Sequence, residues 1–121
     1  MSRIVEVVNW SAPLPQPIIA RWCAGFFCRL RGLMFRSHIS VDEGLLLVQP
    51  HENRLDSSIH MFFVFTDLAV IWIDSNGVVV DTVLARKWHP AYFPKSAAKF
   101  ILELSSEHIN KFAIGDKTKF E

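Results

Sequence analysis

The stretch at residues 68–84, LAVIWIDSNGVVVDTVL, decides the fold. Its two apolar, β-branched runs are typical of strands, and Asn76 and Gly77 separate them. An Asn-Gly pair readily adopts the positive φ angles that a tight hairpin turn requires. The pattern therefore predicts an antiparallel hairpin with strands at 68–74 and 78–84.

Further strand-like segments lie on both sides of this hairpin. Residues 3–9 alternate, 44–48 form a short apolar run, and strands are also expected at 98–104 and 117–120. Residues 58–65 are apolar on both faces, which predicts a central strand buried on both sides. Consecutive strands joined by short turns predict a mostly antiparallel sheet that curls into a partial barrel.

Two helices complete the predicted α+β fold. Between residues 18 and 34, apolar side chains recur at three- and four-residue steps, as on one face of a helix. We therefore expect one long helix in the N-terminal half, packed into the curled sheet. A short C-terminal helix is expected to begin at Ser105 or Ser106 and to end before Gly115.

Size and charge restrict the classes of partner. The chain has 121 residues, half of them apolar, which suits a single domain spanning 1–121. Thirteen Lys and Arg oppose twelve Asp and Glu, so the net charge is only +1, without a long like-charge block. This balance argues against a nucleic-acid partner. We expect a small molecule or a protein as partner, with a homo-oligomer as one option.

The apolar segments do not resemble targeting signals. The first ten residues, MSRIVEVVNW, contain no apolar run of the signal-peptide kind. The most apolar stretch, 59–73, contains His60 and Asp67 and is shorter than the roughly 20 residues of a membrane-spanning helix. We therefore expect a soluble, cytoplasmic protein without a membrane partner.

Cys23 and Cys28 are the two cysteines. On the predicted helix, five residues place them about 140° apart, so their side chains diverge and two reduced structural thiols are expected. No second Cys or His pair completes a zinc site. The spacing of His51, Glu52 and Asp56 with His60 also matches no zinc or calcium template. The sequence therefore predicts neither a metal nor a cofactor.

Six segments in order carry a resemblance to a known family. They are RGLMFR at 31–36, DEGLLLV at 42–48, IHMFFVF at 59–65, VIWID at 70–74 followed by NGVVV, LEL at 102–104 and GD at 115–116. Their spacing resembles the bacterial and archaeal family called domain of unknown function 192, or uncharacterised protein family 0127, over about residues 20–121. The resemblance implies a compact β-rich domain with short helices and no established activity.

One position departs from the family pattern. The family usually has a Pro–apolar–Asp step before the strand at 70–73, and the resemblance places its proline at Asp67 and its aspartate at Ala69. If that aspartate is catalytic in relatives, this chain lacks it unless Asp67 has taken over the role. The resemblance thus makes Asp67 a weak catalytic candidate.

His60 is the other catalytic candidate. A histidine titrates near neutral pH and is a natural general acid or base, and His60 could pair with Asp67 or Asp74. The alternative is a half-buried histidine whose ring bonds a backbone carbonyl. Both interpretations stay open from the sequence.

Arg31 and the loop at 87–96 are the candidate binding elements. Arg29, Arg31 and Arg36 could clamp a carboxylate or phosphate, or they could make ordinary ion pairs with Asp42 or Glu43. The loop, KWHPAYFPKS, carries Trp88 and Tyr92, which either line a binding surface or cover an open end of the sheet.

Two functional hypotheses follow from these residues. The first is a small ligand- or protein-binding domain without catalytic activity that uses Arg31, His60, Trp88 and Tyr92. The alternative is a metal-independent enzyme acting on a small anionic or sugar-like ligand, with His60 as acid or base. They differ in whether His60 and Arg31 converge on an open concavity. A concave polar pocket with a perturbed histidine would favour the enzyme, and a flat aromatic patch without convergent polar groups would favour the binding domain.

Overall fold

The computed structural model describes residues 3–121, and its main element is a seven-stranded sheet. In chain order the elements are β1 (Ile4–Asn9), β2 (Ile18–Cys23), α1 (Phe26–Arg31), β3 (Glu43–Asn53), β4 (Leu68–Ile73), β5 (Val79–Ala85), β6 (Ala98–Ser105), a 3-10 helix (Ser106–Lys111) and β7 (Thr118–Phe120). The strand order across the sheet is β5-β4-β6-β3-β2-β1-β7. The pairing of β2 with β3 is parallel, so this is a mixed sheet, and it curls into a half-barrel.

The predicted hairpin is confirmed as β4 and β5. The two strands pair antiparallel, with Val70 opposite Val83. Asp74 Oδ1 accepts hydrogen bonds from the amides of Asn76 and Val78. Gly77 has φ 85°, and a Cβ there would come within 2.6 Å of a backbone oxygen of Thr118 in β7. The glycine is therefore required both by the turn and by the close approach of the chain end.

The long helix expected at 18–34 is wrong. Its first third is β2, in which buried Ile18 and Ala20 alternate with exposed Ile19 and Arg21. That alternation has the period of a strand. The apparent repeat of three and four residues arose because β2 and α1 follow each other closely along the chain. The helix α1 has only six residues, because Gly32 at φ 51° and ψ −127° ends it.

The two cysteines form a disulfide, so the expectation of two reduced thiols is wrong. Cys23 ends β2 and Cys28 lies in α1, with their Cα atoms 5.7 Å apart. The residues between them turn the chain from strand to helix, and this turn brings together side chains that a continuous helix would separate. The disulfide therefore ties the start of α1 to the sheet.

The central strand expected at 58–65 is also wrong. Ile59 and Met61 are buried, but their backbone groups bond the 86–92 loop, through Ile59 with Tyr92 and through Met61 with Trp88. Phe63 adopts φ 60°, which no regular strand contains. The apolar residues of this segment cover one face of the sheet instead of forming a strand within it.

Two hydrophobic clusters lie on opposite faces of the sheet. One contains Leu47, Val70 and Trp72. The Trp72 indole donates a hydrogen bond of 2.7 Å to the carbonyl of Ser57, just before the 58–65 segment that covers this face. The other contains Ala69 and is closed by the C-terminal segment. The predicted strands near 98–104 and 117–120 and the short helix between them are confirmed, the helix as a 3-10 helix. No helix within residues 3–121 has the length and apolar character to cross a membrane.

Candidate functional site

A cavity of about 520 Å³ opens between α1, β3, β6 and the segment at 56–64. Its walls are mainly apolar, and its polar lining residues are Arg29, Arg31, Gln49, Asp56, Ser58, His60 and Glu103. The volume is in the range of small-molecule pockets, which typically combine apolar walls with a few polar groups. Arg31 and His60, both predicted as site residues, line this same cavity.

Glu103 lies at the floor of the cavity, on β6. It is 4% exposed and lies between Leu45 of β3 and Val70 of β4, whose side chains are apolar. Its Oε1 has no hydrogen-bond partner among the described residues. A buried carboxyl oxygen without a partner is rare in native proteins, and it points to a ligand or to a chemical role.

Burial raises the pKa of the Glu103 carboxyl from 4.5 to about 7. Removal from water disfavours the charged form, and no nearby positive charge offsets this effect. Near neutral pH the group is therefore divided between acid and carboxylate. It can donate a hydrogen bond in the first form and accept in the second.

The wall opposite Glu103 is the end of α1. A Cβ at Gly32 would lie 3.5 Å from Glu103 Oε1, so the glycine backbone passes close to the carboxyl group. No residue of α1 is buried. The helix is held instead by the Cys23–Cys28 disulfide and by Arg29, whose guanidinium donates to the carbonyl of Val48 at 3.3 Å.

His60 links the segment at 56–64, to which it belongs, with α1. Its Nδ1 accepts a hydrogen bond of 3.2 Å from the Phe62 amide. Its Nε2 therefore carries the proton in the neutral ring and donates it to the Leu30 carbonyl at 3.2 Å. This arrangement matches the interpretation of a histidine bonded to a backbone carbonyl, and it occupies both ring nitrogens.

The three arginines of the predicted basic patch have different surroundings. Arg36 pairs with Glu43 at 2.8 Å, as the ion-pair interpretation expected. The Ser40 amide, together with Arg36, lowers the pKa of the Glu43 carboxyl. Arg31 is exposed at the rim of the cavity and has no ion pair within residues 3–121. It is thus the cation of this patch that is free to meet a ligand.

Trp88 and Tyr92 lie outside the lining of the cavity. The Tyr92 hydroxyl accepts a hydrogen bond of 3.0 Å from the Arg86 amide. Trp88 belongs to an exposed aromatic cluster, which consists of Phe35, Phe63, Phe65 and Trp88 with ring centroids 4.9 to 5.6 Å apart. Three of its members, Phe35, Phe63 and Trp88, are the non-glycine residues with positive φ in the described part of the chain.

Asp67 and Ala69 are both remote from the cavity lining. Asp67 accepts hydrogen bonds from the Lys87 amide at 2.9 Å and from the Arg86 guanidinium at 3.2 Å. Ala69 is fully buried in the cluster on the other face of the sheet from Val70. A carboxylate at residue 69 would therefore not face the cavity, and Asp67 holds the 86–87 backbone.

The acidic residues and histidines do not form a metal centre. No group of three or more His, Cys, Asp or Glu side chains in residues 3–121 is arranged to hold a metal ion. Glu52, one of the residues considered for a metal, accepts a hydrogen bond of 2.9 Å from the Ser75 amide instead.

Sequence reasoning missed Glu103 as a functional residue. A signal was present, because Ile101 and Glu103 are two apart on a predicted strand and therefore face the same side. A carboxylate facing the core side of a strand is rarely found without a partner. That pairing of an apolar and an acidic residue on one face is the pattern that could have identified it.

The fold and site define a class of small half-barrel domain with a cavity closed by a short helix. The chain belongs to the DUF192 family, described as "Uncharacterized ACR", whose model matches residues 9–120. The resemblance seen in the sequence is therefore confirmed. Nothing in that description assigns an activity.

Curated relatives carry the same family name. A UPF0127 protein of Thermococcus gammatolerans is 49% identical over 78 residues, which are 64% of this chain and 49% of the relative. The chain thus spans about half the length of that relative. A UPF0127 protein of Pyrococcus horikoshii is 34% identical over 116 residues, covering 94% of this chain and 97% of the relative.

Two solved structures share the fold. A candidate transcription regulator from Sinorhizobium meliloti 1021 has a TM-score of 0.83 at 17% identity, covering 99% of this chain and 94% of its own. A protein of unknown function from Novosphingobium aromaticivorans has a TM-score of 0.80 at 16% identity, with 98% and 84% coverage. At these identities the likeness shows the fold alone.

Proposed function

We propose that this chain is a small-ligand-binding domain without catalytic activity, and that its ligand occupies the cavity above Glu103. The observation that carries the proposal is the Glu103 carboxyl, which is buried at the cavity floor with its Oε1 unpartnered. An unsatisfied buried polar group destabilises a protein by about 1–3 kcal/mol. A ligand that hydrogen-bonds this group removes that penalty on binding.

The surroundings of the carboxyl support binding over a purely structural role. Leu47, Val64 and Ile101 provide apolar wall around the polar floor, while Arg31 stands at the exposed rim. Apolar walls supply affinity, and a few placed polar groups supply orientation. The cavity has both the apolar walls and the placed polar groups.

Catalysis is the second candidate function, and Glu103 supports it better than His60 does. A carboxyl with a pKa of about 7 suits a general acid or base near neutral pH. Both nitrogens of His60 are hydrogen-bonded to the backbone, so the ring holds α1 in position and has no nitrogen left for proton transfer. Binding is favoured because no second reactive side chain in residues 3–121 hydrogen-bonds Glu103.

A fragment screen by amide chemical shifts tests the binding proposal. We expect small apolar–polar fragments to shift Gly32, Leu47 and Ile101 together, and to lose this effect in Glu103→Leu. The matched control is Glu107→Leu, which removes an exposed carboxylate of the neighbouring 3-10 helix. Shifts confined to Phe63 and Trp88 would contradict the cavity as the binding site and favour the aromatic cluster.

A cytoplasmic location, expected from the sequence, is a further proposal, and the Cys23–Cys28 bridge is the observation that weighs against it. Disulfides persist mainly in oxidising compartments and are rare in the cytosol of mesophiles. Trapping free thiols with an alkylating reagent in intact cells measures the state of this pair. Fully oxidised cysteines in such cells would contradict an ordinary reducing cytoplasm.

A further inference from the structure

We propose, on the premise of the binding function above, that the ligand is a small primary amine whose ammonium group is bound by the Glu103 carboxylate and whose body is aliphatic. The geometry points to this class because the floor of the cavity offers a buried acceptor without any cation of its own. Three features of the lining carry the inference: the missing counter-charge, the shape of the walls and the position of the arginines.

The missing counter-charge is the first feature. Arg29 lines the cavity, but its guanidinium is engaged by the carbonyls of Ala24 at 3.0 Å and Val48 at 3.3 Å. None of the ion pairs within residues 3–121 involves Glu103, and burial raises the pKa of its carboxyl. An incoming ammonium would supply both the opposite charge and the hydrogen-bond donors.

The walls are the second feature. Leu33, Ile59 and Val64 line the cavity on one side, and Leu47 and Ile101 line the sheet side. All five side chains are aliphatic and buried. A hydrocarbon chain attached to the ammonium would therefore find an apolar environment along its length.

The position of the arginines is the third feature. An anionic ligand would be attracted to Arg31 at the exposed rim and could meet Glu103 only in its protonated form. A neutral ligand could bond Glu103 but would supply no counter-charge to its carboxylate form. The amine supplies both a hydrogen-bond donor and a counter-charge to the carboxylate.

Proton release is the distinguishing consequence. An alkylammonium stays protonated at neutral pH, so on binding it keeps its protons while the Glu103 carboxylic acid loses one to the buffer. Besides Glu103, the charged or titratable groups that line the cavity are Arg29, Arg31, Asp56 and His60. The polar side chain that β3 adds to the lining is Gln49. On β4, the residue paired with Glu103 is the apolar Val70. With a pKa of about 7, binding should release ~0.9 proton near pH 6 and ~0.1 near pH 8.

Titration calorimetry with three probes of equal length tests the inference: hexylammonium, hexanoate and hexanamide. Repeating each titration in buffers of different ionisation enthalpy gives the number of protons released. We expect hexylammonium to bind at least about tenfold more tightly than the other two, with the stated proton release. Glu103→Gln should lose both effects, Glu107→Gln should keep both, and thermal unfolding confirms that each variant is folded.

The outcomes separate the two proposals. If hexanoate or hexanamide binds as tightly as hexylammonium, the amine assignment is overturned while the cavity remains a binding site. If hexylammonium binds but Glu103→Gln still releases the proton, His60 or Asp56 is responsible and the assignment to Glu103 is overturned. If none of the three probes binds wild-type protein, the binding function itself is contradicted. If Glu103→Gln does not fold, proton release by wild-type protein is compared at pH 6 and pH 8 instead. A fall from ~0.9 to ~0.1 proton supports the assignment to Glu103, and a release that does not change with pH overturns it.

Discussion

Gly32 lies close to the carboxyl group of Glu103, so that a Cβ at residue 32 would be 3.5 Å from Oε1. The contact joins the end of α1 to the centre of the sheet, although the two residues are far apart in sequence. It depends on a backbone with φ 51° and ψ −127° that side-chain-bearing residues rarely adopt. The position of the end of α1 beside Glu103 therefore depends on a glycine at residue 32.

Gly32→Ala should destabilise the protein through its backbone conformation. The 3.5 Å approach is an ordinary contact, so we expect the effect to come from the positive φ, at about 1–3 kcal/mol in the free energy of unfolding. Denaturant titration measures it. Gly25→Ala is the matched control, because Gly25 has φ −71° and open space around its would-be Cβ. Equal stability of the Gly32 variant and wild-type protein would show that the helix end is not held as described.

The pH dependence of stability should carry the signature of Glu103. Because its folded pKa of about 7 is above the ordinary value of 4.5, the folded state binds more protons than the unfolded state between these pH values. Stability therefore falls as pH rises through this window, by ~3 kcal/mol in total, and levels off above it.

Urea titrations at several pH values test this, with Glu103→Gln as the comparison. The amide cannot ionise, so the variant should lack this falling component. If the free energy of unfolding changes with pH equally in wild-type protein and in the variant between about pH 4.5 and 7, the pKa of Glu103 is not raised.

Removing the disulfide should loosen α1 more than it unfolds the sheet. The bridge closes a loop of only five residues, for which chain entropy predicts about 2 kcal/mol of stability. Because α1 buries no residue, we expect its amides to exchange with solvent faster in Cys23→Ser/Cys28→Ser, while β4 and β6 stay protected. Hydrogen exchange of wild-type protein with and without a dithiol reductant provides the control, and unchanged exchange of α1 would contradict its dependence on the bridge.

Substitution of His60 should separate a positioning role from an acid–base role. His60→Ala loses the bond to the Leu30 carbonyl and should weaken hexylammonium binding several-fold by releasing α1. His60→Gln offers an amide donor to the same carbonyl and should restore much of the affinity. The proton release near pH 6 should stay the same in His60→Gln. A loss of proton release in that variant would assign the titrating group to His60 instead.

Local patterns predicted the elements whose structure is decided locally. The hairpin of β4 and β5 depends on two apolar, β-branched runs on either side of Asn76 and Gly77, and all of this information lies in one short stretch. The 18–34 segment misled because Ile19 and Trp22 of β2 and the apolar residues of α1 together imitate a helical repeat, although Ile19 is exposed. The segment at 58–65 misled because its partner is the 86–92 loop, which no local pattern reveals.

The candidate site was predictable only in part. Arg31 and His60 line one cavity, whereas Trp88 and Tyr92, which the sequence grouped with them, lie outside its lining. The disulfide depends on a strand-to-helix turn, and the enclosure of Glu103 depends on parallel pairing of β2 with β3 and on the path of Gly32 over the sheet. These are contacts between distant parts of the chain, so periodicity carries no information about them.

The carboxyl group of Glu103 can be observed directly by carbon-13 NMR during a pH titration, with and without hexylammonium. We expect a midpoint of about 7 in the free protein and a clearly lower midpoint when the amine is bound, because the ammonium stabilises the carboxylate. A midpoint near 4.5 that does not move on addition of the amine would contradict amine binding by Glu103.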